Sequence, residues 1–316
     1  MSENVLHVEN VTMQFGGVVA VNNLSLDIPE GKIVALIGPN GAGKTTAFNC
    51  ITGVYEPTNG LVEFMGKAIV RNHPQGKMKK NYKGQNADMY LGKVVANTPD
   101  KITQQGIART FQNIRLWKSM TVFENVLIAK HMHAKQNVFS ATFRGNAKEE
   151  KRMREETMEL LCEQGLDKYK DEIATSLPYG LQRRLEIARA LAADPKLLLL
   201  DEPAAGLDPV GREEILGGIA SYQRNRGITV IIVSHSMEDM AQYCDDVIVL
   251  ANAKVILQGD RETVYAHGDL LEKTGLDVPQ ITRLIGMLRK KGFDLPANIY
   301  TVDRAYDVLR ERLCGR

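Results

Sequence analysis

The chain has 316 residues, 44% of them hydrophobic and 25% charged, with 40 lysines and arginines against 38 aspartates and glutamates. That balance excludes a mainly disordered chain, and a formal charge of +2 supplies no global field for holding nucleic acid or an anionic bilayer. Cys50, Cys162, Cys244 and Cys314 are far apart and lack the paired spacing of a zinc ribbon or a redox motif.

Val5 to Met13 alternates loosely, and with Val18 to Ile28 and Gly60 to Phe64 it predicts antiparallel strands beside a main sheet. Lys32 to Ile37 is a short, nearly continuous apolar run, and Leu197 to Leu200, Thr229 to Val233 and Val247 to Leu250 repeat that pattern. Helix-length stretches separate most of these runs, which suits a parallel α/β sheet buried on both faces. Between Gly66 and Lys101 the chain turns polar, with Lys77, Lys79, Lys80 and Lys83, and reads as an inserted, solvated loop. Thr121 to Gln164 is helical in pattern. Within it, Ala147 to Gln164 builds an amphipathic surface helix around Met153, Thr157 and Leu161. His131 and His133 are two apart and face different sides of a helix, which argues against metal ligation.

Beyond Asp260, Ile281, Leu284, Ile285 and Leu288 form a helical stripe ending before Gly292. A last helix follows, capped by Thr301 and buried through Ala305, Val308, Leu309 and Leu313. These features give a domain over 1–260, with a helical subdomain over about 113–193 and the inserted loop over about 66–101, then a helical appendage over 261–316. The opening MSENVLHVEN has no basic stretch leading into an apolar core, and no apolar run reaches the about 20 residues that cross a bilayer. The chain is therefore expected neither to span nor to be exported, and a membrane role would come through a partner.

Gly38-Pro-Asn-Gly-Ala-Gly-Lys-Thr-Thr46 matches a phosphate-binding loop, and it lies between an apolar strand and a helix as that loop requires. Gly38, Gly41 and Gly43 let successive N–H groups turn inward at phosphate oxygens, with Asn40 and Thr46 inside the same loop. Lys44 is placed for the β- and γ-phosphates, and Thr45 offers a hydroxyl to Mg²⁺. At the end of Leu197-Leu-Leu-Leu-Asp201-Glu202, Asp201 can hold Mg²⁺ through water while Glu202 orients or deprotonates the attacking water. Ser176-Leu-Pro-Tyr-Gly180-Leu-Gln-Arg-Arg-Leu-Glu-Ile-Ala-Arg189 is a turn feeding an amphipathic helix, whose positive end is a second anion site. One chain has little reason to aim two such sites at one phosphate; a partner chain explains the second.

The order of these parts resembles the nucleotide-binding subunit of an ATP-binding cassette (ABC) transporter. Phosphate loop, Arg109-Thr-Phe-Gln112, signature turn, Asp201-Glu202, Ala205-Gly-Leu-Asp208 and Ser234-His235 follow one another over residues 1 to about 260. The resemblance implies an ABC-type P-loop α/β fold with an antiparallel β subdomain and a helical signature subdomain. It implies ATP and Mg²⁺, with Phe15 stacking on adenine, Gln112 sensing Mg²⁺ and the attacking water, and His235 contacting the γ-phosphate. It also implies a head-to-tail dimer with a second ATPase subunit, identical or a sister, in which Leu177 and Gly180 reach the other chain's nucleotide and Asp208 links the two sites. The signature departs from the family's usual LSGGQ, because Pro178 stands where a serine hydroxyl would meet phosphate.

To about Pro209 the chain resembles branched-chain amino acid importer ATPases, through Met13 to Asn23, Gly106 to Trp117, Met120 to Val126 and Leu177 to Arg189, which opens on the distinctive Leu177-Pro-Tyr-Gly-Leu181 signature form. From about Gly211 it resembles energy-coupling factor ATPases, through Val233 to Asp239, Leu276 to Thr282 and Arg289 to Pro296. The two halves point to different cargo. Integral permease subunits are the implied partners, on the cytoplasmic face of the membrane, with Ile114, Leu116 and Trp117 forming part of an apolar groove for a short coupling helix. No nucleic-acid partner is expected. A soluble non-transport ABC ATPase is the rival reading, weakened by the single cassette and the lack of a heptad run.

Overall fold

The computed structural model describes residues 4–90, 92–133, 147–296 and 298–314, so the part of the expected helical run at 134–146 lies outside the described residues. In chain order the strands are β1 Asn4–Phe15, β2 Val18–Pro29, β3 Ile33–Ile37, β4 Asn59–Phe64, β5 Lys67–Asn72 and β6 Val95–Ala96. They continue as β7 Ile107–Arg109, β8 Leu197–Asp201, β9 Thr229–Val233, β10 Asp246–Ala251 and β11 Lys254–Asp260. The chain forms two compact units, Met1–Ala96 with Ile231–Arg316, and Asn97–Val230.

In the first unit, β2, β1, β4, β5 and β6 pair side by side in that order, antiparallel throughout. Burial of Leu6, Val8, Val11, Leu24, Leu26, Ile28 and Val62 follows from the loose alternation of their strands. The segment expected as an inserted loop opens instead on a strand, β5, in a hairpin with β4. Its turn is the two residues Met65 and Gly66, both at positive φ, and Ile69 and Val70 are buried. β3 has all five residues buried and runs parallel to β10, pairing Val34 with Asp246 and Ile37 with Val249. β10 returns as β11 through Asn252 and Ala253, again both at positive φ.

At the end of the chain the helices Gln280–Lys290 and Val302–Cys314 enclose Ile285, Leu295, Ile299 and Ala305, with Ile281, Leu288, Val308 and Leu309 at the margin. Leu284, expected in the stripe, is exposed, because it stands at the flank of a face already filled by residues 281, 285 and 288. The Leu313 side chain lies outside the described residues. Tyr265 connects this segment to the rest of the unit, its ring 5.6 Å from that of Tyr300 and its hydroxyl donating to the Met237 carbonyl.

In the second unit β7 and β8 are parallel, with Ile107 beside Leu197 and Arg109 beside Leu199. Leu197 to Leu200 are wholly buried, each worth about 1.5–3 kcal/mol of transfer free energy. The helix Val122–Lys130 begins on a capping box, in which Thr121 accepts from the Glu124 N–H and Glu124 accepts from that of Thr121. It packs against the helices Ala147–Glu163 and Tyr179–Leu191. The helix Ala147–Glu163 buries Met153, Thr157, Leu160 and Leu161 and pairs Glu150 with Arg154 on its outer side. Lys130, itself buried, reaches both Glu156 and Asp194 at 3.1 Å.

Candidate nucleotide-binding site

In the first unit the loop 38–43 delivers the chain from β3 into the helix Lys44–Ile51. Gly38 passes so close to the Leu250 carbonyl that a Cβ there would overlap it. Gly43 adopts φ +99°, and a Cβ on it would stand 2.5 Å from the Ala20 carbonyl oxygen. That close approach brings the loop against the β1–β2 hairpin. Gly41 also has positive φ, but among the described residues nothing lies within 4 Å of where its Cβ would be. The helix that follows has no side-chain cap and no acid in its first turn. Lys44 is buried, and its ammonium donates to the carbonyls of Gly38 at 2.6 Å and Pro39 at 3.1 Å. Thr45 is exposed at the same helix end.

Phe15 ends β1 half-exposed, with Tyr55 edge-on at 5.4 Å. His235 is exposed just beyond β9, in a turn where Ser234 Oγ accepts the Ser236 N–H. Beneath the loop, burial pushes the Cys50 thiol up to about 12.

The second unit carries the acids. Asp201 ends β8 at 2% exposure and is ion-paired with Arg109 at 3.1 Å. Glu202 follows at φ +52°, a conformation that costs a non-glycine residue about 1–3 kcal/mol and concentrates at functional sites. Gln112 is exposed three residues after Arg109. Pro178 is the N-cap of the helix Tyr179–Leu191, which has no side-chain cap and no acid in its first turn. Leu177 is buried and its carbonyl accepts from Gln182 at 2.7 Å, while Gly180 stands in the first turn. Asp208 caps the helix Pro209–Arg226 by accepting from the Gly211 N–H at 2.9 Å.

Three contributors were not picked out from the sequence. Arg109 is the buried counter-ion of Asp201. Tyr55 supports Phe15. Asn125, fully buried, accepts from the Trp117 N–H and donates to the carbonyls of Trp117 and Thr121, so that Trp117 stands 54% exposed rather than in the core. Ile114 and Leu116 are half-buried beside it in the chain. For the first of these the sequence carries one signal, the motif Arg109-Thr-Phe-Gln112 itself.

The residues fit a magnesium-bound triphosphate. The loop offers an open glycine at positive φ and a helix end without competing caps, which suits an anion. Thr45, exposed at that helix end, is a hard oxygen donor, and Mg²⁺ needs only one or two protein ligands when substrate phosphates complete its shell.

A family model described as ABC transporter matches residues 21–205. The high-affinity branched-chain amino acid transport ATP-binding protein BraF of Pseudomonas aeruginosa is 36% identical over 274 residues, covering 86% of this chain and 98% of that protein. The energy-coupling factor transporter ATP-binding protein EcfA2 of Clostridium perfringens is 35% identical over 297 residues, covering 93% of this chain and 91% of that protein. The solved structure of cbiO1 from Clostridium perfringens, part of the transporter complex cbiONQ, superposes with a TM-score of 0.66 at 28% identity over 90% of this chain and all of that one. A nucleotide-free ATP-binding cassette from an ABC transporter gives 0.65 at 29% identity over 82% of this chain and 92% of that one. Similarity of the BraF kind thus runs past the first 209 residues, and that of the EcfA2 kind begins well before residue 211.

Proposed function

The chain belongs to the ABC transporter family, and on that premise we propose that it is the ATP-hydrolysing subunit of a branched-chain amino acid importer, seated on the cytoplasmic face of a membrane against integral permease subunits. The observation that carries ATP binding is the loop 38–46, with Gly43 fitted against Ala20 and Lys44 folded over the loop carbonyls. Relatives of the BraF kind support the cargo. No helix among the described residues is long and apolar enough to cross a membrane, so attachment runs through partners.

In this reading Phe15, held edge-on by Tyr55, stacks on adenine. The N–H groups of Gly38, Asn40, Gly41, Gly43 and Thr46 hold phosphate oxygens, and Lys44 exchanges its carbonyl contacts for the β- and γ-phosphates. Thr45, Gln112 and Asp201 would hold Mg²⁺, which supplies charge neutralisation on the β- and γ-oxygens. Arg109 holds the Asp201 carboxylate in place through their ion pair. Glu202 accepts the proton of the attacking water, and His235 donates to the γ-phosphate as charge builds there. Leu177 and Gly180 of a second ATPase chain close over the nucleotide, with Asp208 connecting the two sites. Pro178 brings no hydroxyl, so backbone N–H groups and the helix end make that contact alone.

Glu202→Gln is expected to keep ATP affinity while hydrolysis falls by about 10²–10⁴-fold, leaving an ATP-stabilised dimer on size exclusion. Turnover equal to the parent chain would remove Glu202 from this role. A second reading, the ATPase of an energy-coupling factor vitamin or metal importer, draws on the EcfA2 alignment, which covers more of the chain, and on the two terminal helices. Purification from native membranes separates the two. Amino-acid permease subunits are expected alongside, and energy-coupling factor membrane subunits alone would overturn the cargo.

A further inference from the structure

We propose that Arg183 and Glu186 are positioning residues that lock the Gln112-bearing loop onto the signature helix, so that the loop and the helix end at Gly180 move as one body. The proposal rests on the roles given above to Gln112 and Gly180. Both side chains lie on the helix Tyr179–Leu191, one and two turns after Gly180, at 0% and 1% exposure. Their partners are backbone groups of the loop. Arg183 Nη1 donates to the Phe111 carbonyl at 2.9 Å and Nη2 to the Gln112 carbonyl at 2.8 Å, while Nη1 also reaches Glu186 at 2.7 Å. Glu186 accepts from the Arg115 N–H at 3.2 Å and the Phe111 N–H at 3.5 Å. One buried pair thus grips three residues of the loop on both sides of the Gln112 side chain.

Stability does not account for this arrangement. A buried ion pair is often replaced by apolar residues at little or no cost, and Arg183 Nε has no hydrogen-bond partner among the described residues, which makes this pair a costly one. What apolar residues would lose is the grip. Two successive loop carbonyls turn inward onto a single planar guanidinium, a fork that no apolar side chain replaces. The Gln112 side chain itself is exposed. Its backbone is therefore fixed from beneath while its amide stays available. Engagement of Gly180 by a partner chain's phosphate would then carry Gln112 with it, tying the assembly of the metal and water site to dimer closure.

The test uses the full chain with Arg183→Met and Glu186→Leu together, which removes the grip without leaving a buried charge unpaired. Spin labels go on cysteines placed at Asn113 and Tyr179, with Cys162 and Cys314 replaced by serine. In the parent the label distance distribution is expected to stay narrow with and without MgATP, and in the double variant to broaden. In parallel, kcat is expected to fall and the half-saturating Mg²⁺ concentration to rise, each by about tenfold, as for loss of a residue that orients a metal ligand. KM for ATP is expected to stay within about twofold. Simple loss of folded protein would lower the rate without moving the Mg²⁺ dependence. A folded double variant with the parent's distance distribution overturns the proposal, as does an unchanged Mg²⁺ dependence in a parent that hydrolyses ATP. If the double variant fails to fold, Arg183→Lys, which keeps a charge beside Glu186 but loses the two-carbonyl fork, takes its place in both measurements, with the same outcomes. A parent that hydrolyses no ATP sinks the functional reading instead, and the distance distribution still settles the lock.

Discussion

Gly41 and Gly43 are two positions apart in one loop, both at positive φ, yet a methyl group would meet different surroundings at each. At Gly41 only the backbone term applies, about 1–2 kcal/mol. At Gly43 the same term is joined by overlap with the Ala20 carbonyl and contact with Val21 at 3.1 Å, so the loop must leave the hairpin. Gly43→Ala is accordingly expected to destabilise the chain more than Gly41→Ala in urea unfolding, by about 1–3 kcal/mol, and to weaken binding of a fluorescent ATP analogue. Equal midpoints for the two variants would contradict the close approach. This contrast was not legible in the sequence, which marks both glycines as loop-formers and says nothing of what each faces. Arg109 was hidden for a related reason, since its partner Asp201 is 92 positions away and only the pairing of β7 with β8 makes them neighbours.

Among the elements, those that announce themselves by an uninterrupted apolar run were readable almost to the residue: β3, β8, β9 and β10 lie where the runs lie. β5 was not. It offers one buried pair, Ile69 and Val70, and its hairpin turn puts Met65 at positive φ, where glycine or asparagine would have marked it. The loop from Trp117 to Thr121 is shaped by Asn125 from the helix behind it, a side-chain link with no local signal. Trp117 is the chain's one tryptophan, so its fluorescence reports that loop alone. Asn125→Leu leaves a Trp117 N–H without its acceptor, at a cost of about 1–3 kcal/mol if it remains buried. Steady-state anisotropy of Trp117 is expected to drop in that variant while circular dichroism holds. An unchanged anisotropy would mean that the loop is held by other contacts.

At the scale of the whole molecule, the described thiols divide by depth. Cys162 is exposed, whereas Cys50 and Cys244 are buried, and burial raises both of their pKa values, that of Cys50 to about 12. The sign is that of a desolvated acid: near pH 8 both remain protonated and unreactive, and thiolate appears only as the pH climbs toward the raised values. A maleimide is expected to label Cys162 within the native chain and to reach Cys50 and Cys244 only in denaturant, with MgATP slowing Cys50 in mild denaturant as a ligand of the native state should. Rapid native labelling of Cys50 would show the helix after the phosphate loop opening on its own. The broad architecture was legible because it rests on periodicity. The division into units was not, because it depends on which distant segments meet.

That division also sets an order of events at the ribosome. The unit Asn97–Val230 is encoded without interruption and can close as soon as it emerges, while the other unit is written in two instalments. β3 is made early, but β10, its parallel neighbour, begins at residue 246. The segment around the phosphate loop must therefore wait through most of translation before its sheet is complete, so a chain stopped short of β10 would deliver one finished unit and one that cannot close.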